Sequence, residues 1–499
     1  MATFSRRSFL AGASAAFMTL GARAKPGKRA NILFAIADDW SYPHASAYGA
    51  TGIRTPAFDR VAKEGVLFTN SFVSAPQCSP NRASLLTGQN IWQIEEAGTH
   101  ASIFPNKFTV YTDLLEQAGY HVGCGGKGWA PGDWQRGGWK RPPAGPEYRK
   151  AQTKPPAKGI SAEDYAANFE LFLKDRPEGA PFCYWYGAKE PHRVYDEGSG
   201  LRSGKKLEDA QVPPFLPDSP TVRSDLLDYL YEVEWFDRHL GLMLDRLEQA
   251  GELDNTLVVV TGDNGMPFPG AKATLYDCGV HVPMAARWPE RLKQGAQSDD
   301  MIAFTDLAPT FLDAAGLPAA PGMVGRSFLE GAAGANPGYV LTGRERHTHA
   351  RYDNLGYPAR SIRTAQYLYI RNFKPDRWPV GVPEGYHDID GSPTKTYMMD
   401  HRDEIPELFA HSFEKRPAEE LFDIKADPGC LNNLAGKPEF AETQAALGKK
   451  LMGLLKEQGD PRTRGSEVFD SYPRVSHMRP ELGGFAERGE YNPKYMDKK

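Results

Sequence analysis

The chain is expected to fold in the α/β class: a large mixed, mostly parallel sheet sandwiched by helices, with a smaller C-terminal α+β domain. Three observations carry that expectation. Asn31 to Ala37 and Leu257 to Val260 are continuous apolar runs, the pattern of strands buried on both faces of a parallel sheet. Between them, short strand-like segments alternate with amphipathic helical ones that end at glycine. After about residue 345 the character changes to separated strands and then a helix. At 499 residues the chain buries a large core and is expected to split into more than one domain.

Residues 1–24 are set apart from the fold. Ser5-Arg6-Arg7-Ser8-Phe9-Leu10, a small-residue apolar stretch to Leu20 and Ala22-Arg23-Ala24 resemble a twin-arginine-type export signal. The apolar part is too short and too rich in Ala, Gly and Ser to span a membrane. The expected partner is the twin-arginine export machinery, the expected location periplasmic or secreted, and no stable membrane anchor is expected. A formal net charge of −4 offers no electrostatic footprint for nucleic acid. Five cysteines (78, 124, 183, 278, 430) are too few for a disulfide framework and lack zinc spacing, so apart from Cys78 they read as small buried residues, with one disulfide left open by export.

The catalytic α/β domain is expected over 25–345. Its first strand, 31–37, ends in Asp38-Asp39, two adjacent carboxylates where ligand sites of open α/β sheets gather. A cation between them is the economical explanation, a turn or helix cap the alternative, and hard oxygens mean Ca²⁺ or Mg²⁺ rather than zinc. Thr55-Pro56 opens a short helix ending at Gly65, and Val66 to Val73 reads as a strand. Then comes Cys78-Ser79-Pro80-Asn81-Arg82. Pro80 suits a first helical turn, which puts Cys78 at a helix N-terminus favouring an anion, with Arg82 four residues on. Thr109 to Ala118 is a helix, and Tyr120 to Cys124 a strand leading into Gly125-Gly126-Lys127-Gly128-Trp129. Those glycines suggest close backbone approach to a ligand, with Lys127 as a point charge for an oxyanion. Residues 130–160, with Trp134 and Trp139, read as a long loop.

Phe182 to Ala188 is a strand, and His192 lies just past its end as a proton donor or anion contact. Arg223 to Ala250 is a long amphipathic helix, with Asp237 on its apolar face capping or pairing internally. The strand 257–260 delivers Asp263 and Asn264, which with Asp38 and Asp39 make four hard side chains from two strand ends. Lys272 follows, and Ile302 to Ala315 reads as the closing helix. In the C-terminal sheet-plus-helix domain, 346–480, Ser361 to Arg371 and Glu420 to Asp423 read as strands and Phe440 to Leu455 as a helix. Residues 481–499 read as a polar tail.

The string Cys78-Ser79-Pro80-Asn81-Arg82-Ala83-Ser84-Leu85-Leu86-Thr87-Gly88 resembles the maturation and active-site signature of formylglycine-dependent (type I) sulfatases of the alkaline-phosphatase superfamily. The resemblance runs from Asn31 to about Ala435 and includes 272–283 and 420–435. Asp263 to Pro269, Pro191-His192-Arg193 and Arg371-Asn372-Phe373 look most like the heparan N-sulfatase (sulfamidase) branch. It implies that a formylglycine-generating enzyme converts Cys78 to formylglycine and that Arg82 steadies its hydrate. It further implies calcium on Asp38, Asp39, Asp263 and Asn264, with Lys127, His192 and Lys272 at sulfate-binding and leaving-group positions. One hydroxyl of the hydrate attacks sulfur, and the other lets the sulfated intermediate collapse to aldehyde and release sulfate.

The implied substrate is a sulfated carbohydrate, an O-sulfate ester or an N-sulfoglucosamine. Two positions depart from the pattern. Trp129 stands at the His of the usual Lys-x-His, which loads proton transfer onto His192 and makes the indole a candidate floor for a sugar subsite. Lys272 stands where the sulfamidase branch carries arginine, so O-sulfate is as open as sulfamate. A phosphatase or phosphodiesterase of the superfamily normally presents Ser or Thr as nucleophile. A Cys-bearing phosphonate monoester hydrolase stays open, as does a non-catalytic carbohydrate-binding relative with Cys78 unmodified.

Overall fold

The computed structural model describes residues 29–330, 337–348, 350–351, 355–383 and 385–475. The export signal read in residues 1–24 and the polar tail 481–499 lie outside the described residues. The large sheet takes seven strands: β1 Asn31–Ala37, β2 Val66–Phe68, β3 His121–Gly126, β4 Phe182–Gly187, β5 Thr256–Gly262, β6 Met284–Arg287 and β7 Ala296–Ser298. Their order is β7-β2-β6-β5-β1-β4-β3. Only β6 runs antiparallel to its neighbours β5 and β2, so the sheet is mixed and mostly parallel.

Two apolar cores explain why the central strands show no polar alternation. Ile32, Phe34 and Ile36 of β1 enter one core, while Leu33, Ala35 and Ala37 enter the other. Helices cover both faces, as a parallel sheet requires. The longest, Pro220–Gln249, is capped by Ser219, whose hydroxyl accepts from Val222 N. Its Asp237 accepts from the N–H groups of Ala57 and Phe58 at 2.9 and 2.7 Å. The carboxylate thus caps the helix Pro56–Glu64 from a neighbouring element, where Thr55 makes no side-chain cap. Burial raises Asp237 to about 7.

Three elements differ from the sequence reading. The strand expected over 66–73 is split: β2 stays in the large sheet, while Ser71–Phe72 pairs with Ile302–Ala303. The break sits at Asn70, whose side-chain amide turns out to the Asp299 carbonyl. The helix expected over 302–315 is regular only over Leu307–Ala314, because Ile302–Ala303 is a strand and Asp306 folds back to accept from Ala303 N. The strand expected over 361–371 is a hairpin, Ala359–Thr364 and Tyr367–Asn372, turned by Thr364 Oγ1 bonding to both backbone polar groups of Tyr367.

That hairpin lies in a four-stranded antiparallel sheet, β8 Tyr339–Arg344, β9 Ala359–Thr364, β10 Tyr367–Asn372 and β11 Glu419–Asp423. Helix Ala441–Glu457 packs on it through Leu451 and Leu455. Among the described residues no helix is long and apolar enough to cross a membrane. All five cysteines are free.

Candidate active site

Register brings the site together. β3, β4, β1 and β5 are adjacent and parallel, with Gly126 opposite Gly187, Ile36 opposite Gly187 and Ala37 opposite Gly262. Their carboxyl ends therefore align, and whatever follows each strand meets at one edge. After β1 come Asp38 and Asp39, after β5 Asp263 and Asn264, after β3 Lys127, and after β4 His192. Asp39 sits at φ +74°, an uncommon conformation that aspartate tolerates better than bulkier residues. Its N–H donates to Asp263 Oδ1 at 2.9 Å, tying the two strand ends together.

Helix Cys78–Thr87 brings in the signature. Cys78 is its first residue and is 1% exposed. Arg82, fully buried, donates through Nε to Asp263 Oδ2 at 2.7 Å and through Nη1 to the Lys127 and Gly128 carbonyls, with Nη2 3.5 Å from Asp38 Oδ1. Lys127 Nζ donates to Asp38 Oδ2 at 2.5 Å. Lys272 Nζ donates to Asp39 Oδ2 at 2.7 Å, and His192 Nε2 lies 3.9 Å from the same oxygen. All nine residues singled out from sequence are thus brought into one cluster.

The electrostatics follow from burial among opposed charges. Burial alone would raise Asp38, but Lys127, His192 and Arg82 hold its carboxylate well below the usual range. Burial and the Asp38 charge push Asp263 up to about 7, against the pull of Arg82. Burial opposes the charge on Lys272, yet Asp39 and Asp390 raise it well above the ordinary lysine range. The anion expected at Cys78 is not favoured. Burial, then Asp38, pushes the thiol well above its ordinary range despite Lys127. A neutral, enclosed thiol is a poor nucleophile as it stands.

Asp38, Asp39, Asp263 and Asn264 are 2% exposed or less. Asp38 Oδ1, 3.5 Å from Arg82 Nη2, and Asn264 Oδ1 are buried without a hydrogen-bond partner, so both oxygens are free to ligate a cation. Oxygen atoms of the three carboxylates lie within 4.8 Å of one another. A hard, oxygen-preferring divalent cation fits this donor set.

The structure adds a bracing role for Trp129 and corrects the reading of the glycines. Trp129 is only 4% exposed, its indole N–H donates to the Ser79 carbonyl at 3.0 Å, and its ring packs on Phe104. It braces the first turn of the Cys78 helix while still lining the cavity. The glycines before Lys127 serve strand packing. A Cβ on Gly126 would lie 2.0 Å from the Gly187 carbonyl oxygen, where Lys127 N donates.

Sequence reasoning missed Asp390, whose Oδ2 accepts from Lys272 Nζ at 3.0 Å. It also missed Asp225, which grips the Arg193 guanidinium at 2.7 and 2.8 Å and accepts from Thr394 Oγ1 at 2.6 Å. His100 and His347, stacked edge to face at 4.5 Å, line the same cavity. Burial lowers His347 to about 3 and His100 well below its ordinary value, so both are neutral. The Ser392-Pro393 helix start was a signal for the segment holding Asp390 and Thr394; the others lack one.

The cavity above this cluster measures about 1060 Å³, at the upper end for ligand pockets. Seven Lys and Arg side chains line it against three carboxylates. On a chain of net charge −4, that concentrates positive potential where an anion would bind.

A family model described as Sulfatase matches residues 30–317, and one described as N-sulphoglucosamine sulphohydrolase, C-terminal, matches 270–380. An ulvan-active sulfatase of Formosa agariphila is 30% identical over 445 residues, covering 87% of this chain and 81% of its own. The human N-sulphoglucosamine sulphohydrolase is 29% identical over 492 residues, covering 88% of this chain and 92% of its own. Among solved structures, a protein in complex with its substrate D-glucosamine-2-N,6-O-disulfate superimposes with a TM-score of 0.63 at 22% identity, covering 87% of this chain and 99% of that one.

Proposed function

This chain belongs to the sulfatase family and is a sulfuric ester hydrolase; from that premise we propose that it removes sulfate from a sulfated carbohydrate, with a nucleophile made from Cys78 and calcium held by Asp38, Asp39, Asp263 and Asn264. The observation that carries this reading is the buried Cys78 at the end of a roomy cationic cavity, beside Lys127 and Lys272. Sugars are the class that the relatives' names point to, as O-sulfate or N-sulfate.

The chain's own groups divide the work. Formylglycine at position 78 supplies a hydrated aldehyde as nucleophile, which the neutral thiol does not. Bound calcium supplies Lewis acidity toward sulfate oxygens and toward the attacking hydroxyl. Lys127 and Lys272 hold the sulfate oxygens from two sides, preorganised by Asp38 and Asp39. Arg82, gripped by Asp263 and two carbonyls, fixes the floor on which residue 78 sits. His192 is the most exposed of the cluster, at 34% of its side chain, and its Nδ1 is engaged by the Arg193 carbonyl at 2.6 Å. With the Nδ1 proton held by that carbonyl, the imidazolium form gives its Nε2 proton to the leaving oxygen or nitrogen and returns to the neutral Nδ1–H ring. Maturation requires a formylglycine-generating partner.

Asp38→Asn removes one negative ligand and the partner of Lys127. The expected result is a rate loss of about 10²–10³ that added calcium partly restores, read as sulfate released from an O-sulfated sugar and from N-sulfoglucosamine. Wild-type activity that survives exhaustive chelation would contradict the metal assignment. A preparation that hydrolyses phosphonate monoesters and neither sugar would overturn the substrate reading.

We also propose export, on the Arg6-Arg7 signal in the sequence. Replacing both arginines by lysine is expected to retain the chain in the cytoplasm, as read by fractionation; unchanged periplasmic yield would remove the twin-arginine route.

A further inference from the structure

We propose that Asp390 sets substrate specificity: it accepts a hydroxyl of the sugar beside the scissile sulfate and turns away substrates that carry a second sulfate there. This rests on the sulfatase reading above and extends it to the neighbouring position of the sugar.

Asp390 reaches the site from a segment 118 residues beyond Lys272 in the chain. Its Oδ2 shares the Lys272 ammonium with Asp39, and one of its oxygens lies within 4.8 Å of both an Asp39 oxygen and a His192 ring nitrogen. The carboxylate therefore borders the place where sulfate and leaving group meet. Unlike Asp39 and Lys272, at 0% and 3%, its side chain is 31% exposed, and Asp390 lines the cavity. A group that only balanced Lys272 would have no need of that exposure.

The segment around it is pinned from both ends. Asp388, fully enclosed, accepts from Arg344 Nη2 at 2.9 Å and from both the N–H and the hydroxyl of Thr348. Ser392 caps helix Pro393–Asp400, whose Lys395 Nζ returns to the Ile389 carbonyl at 2.9 Å. Thr394 is tied through Asp225 to Arg193, next to His192. Asp390 is thus held in fixed relation to the His192 loop, which is the preorganisation that a recognition group requires.

Its charge argues for what it recognises. The cavity is lined by seven cationic side chains, and of its other two lining carboxylates Asp38 is taken by Lys127 and Glu147 by Arg149 at 3.3 Å, while Asp390 meets Lys272 through Oδ2 alone. A negative charge beside the sulfate subsite weakens anion binding, so it serves a neutral donor. Carboxylates make strong bonds to sugar hydroxyls, and a second sulfate facing one is rejected by like-charge repulsion.

The test compares Asp390→Asn and Asp390→Ala with wild type, as full chain loaded with calcium. Three probes are needed: an aryl sulfate, the monosulfated glucosamine that wild type hydrolyses, and its counterpart with a second sulfate on the adjacent carbon. The expected result is a kcat/KM loss on the monosulfated sugar at least about tenfold deeper than on the aryl sulfate, carried mainly by KM. The preference for monosulfated over disulfated sugar should fall by about tenfold or more. Thermal unfolding of both variants separates folding losses from this signature. Parallel losses on all three probes would make Asp390 a counter-ion of Lys272 and overturn the proposal, as would an undiminished rate on the monosulfated sugar. A wild type inactive on every sugar removes the carbohydrate reading and this proposal with it; an active wild type with parallel losses removes this proposal alone.

Discussion

Cys78→Ala is expected to end sulfate release, with a loss of at least about 10⁴-fold on an aryl sulfate and on any sugar substrate. Groups that act as one catalytic unit fail together, so Lys127, Lys272 and His192 cannot make up for a missing nucleophile. The fold should survive. Cys78 is enclosed, but the substitution deletes a single sulfur atom, and the stability cost should stay near about 1 kcal/mol. Circular dichroism and the unfolding midpoint check the second half of the expectation. Turnover within tenfold of wild type would show that the nucleophile lies elsewhere.

Arg82→Met should be inactive and, in addition, unstable. Arg82 and Asp263 are both fully buried, and among the described residues their 2.7 Å contact is the guanidinium's only direct hydrogen bond to a carboxylate. Removing one partner of such a pair strands the other charge, at a cost of about 3–5 kcal/mol. The Lys127 and Gly128 carbonyls lose their donor as well, which loosens the turn that aims Lys127. Arg82→Lys keeps the charge without the planar fork that serves Asp263 and both carbonyls at once, so it should recover part of the stability and little of the activity. The measurement is thermal unfolding after chelation, with sulfate release in parallel. A midpoint for Arg82→Met indistinguishable from wild type would contradict the structural role given to this residue.

The parts of this site that were legible in the sequence are those that sit at the ends of regular elements. A continuous apolar run followed by Asp38-Asp39, and another followed by Asp263-Asn264, announce strands and what the strands deliver. Parallel pairing of β1 with β5 then sets the two acidic pairs side by side. His192 and Lys127 follow the same logic at the ends of β4 and β3.

Side-chain direction was not legible. Two residues after Lys127, Trp129 looks placed to face a ligand, and it does line the cavity, but its indole N–H finds the Ser79 carbonyl and most of the residue packs into the core. The same limit applies to position 70, where the strand that apolar content alone would continue is interrupted and the Asn70 amide bonds to the Asp299 carbonyl. Asp390 and Asp225 show the other limit. Each acts through contacts across long sequence separations, 118 residues from Lys272 in one case and 169 from Thr394 in the other. No periodicity records such a meeting; packing between the small sheet's segment and the large domain creates it.

The account turns on what residue 78 becomes, because burial and Asp38 hold an unmodified thiol neutral. The most direct measurement is the mass of the tryptic peptide Glu64 to Arg82 from a preparation of measured sulfatase activity. Conversion of the thiol to an aldehyde lowers that mass by ~18 Da, and the fraction converted should rise in proportion to specific activity across preparations. A fully active preparation whose peptide retains the unmodified cysteine mass would contradict the central claim.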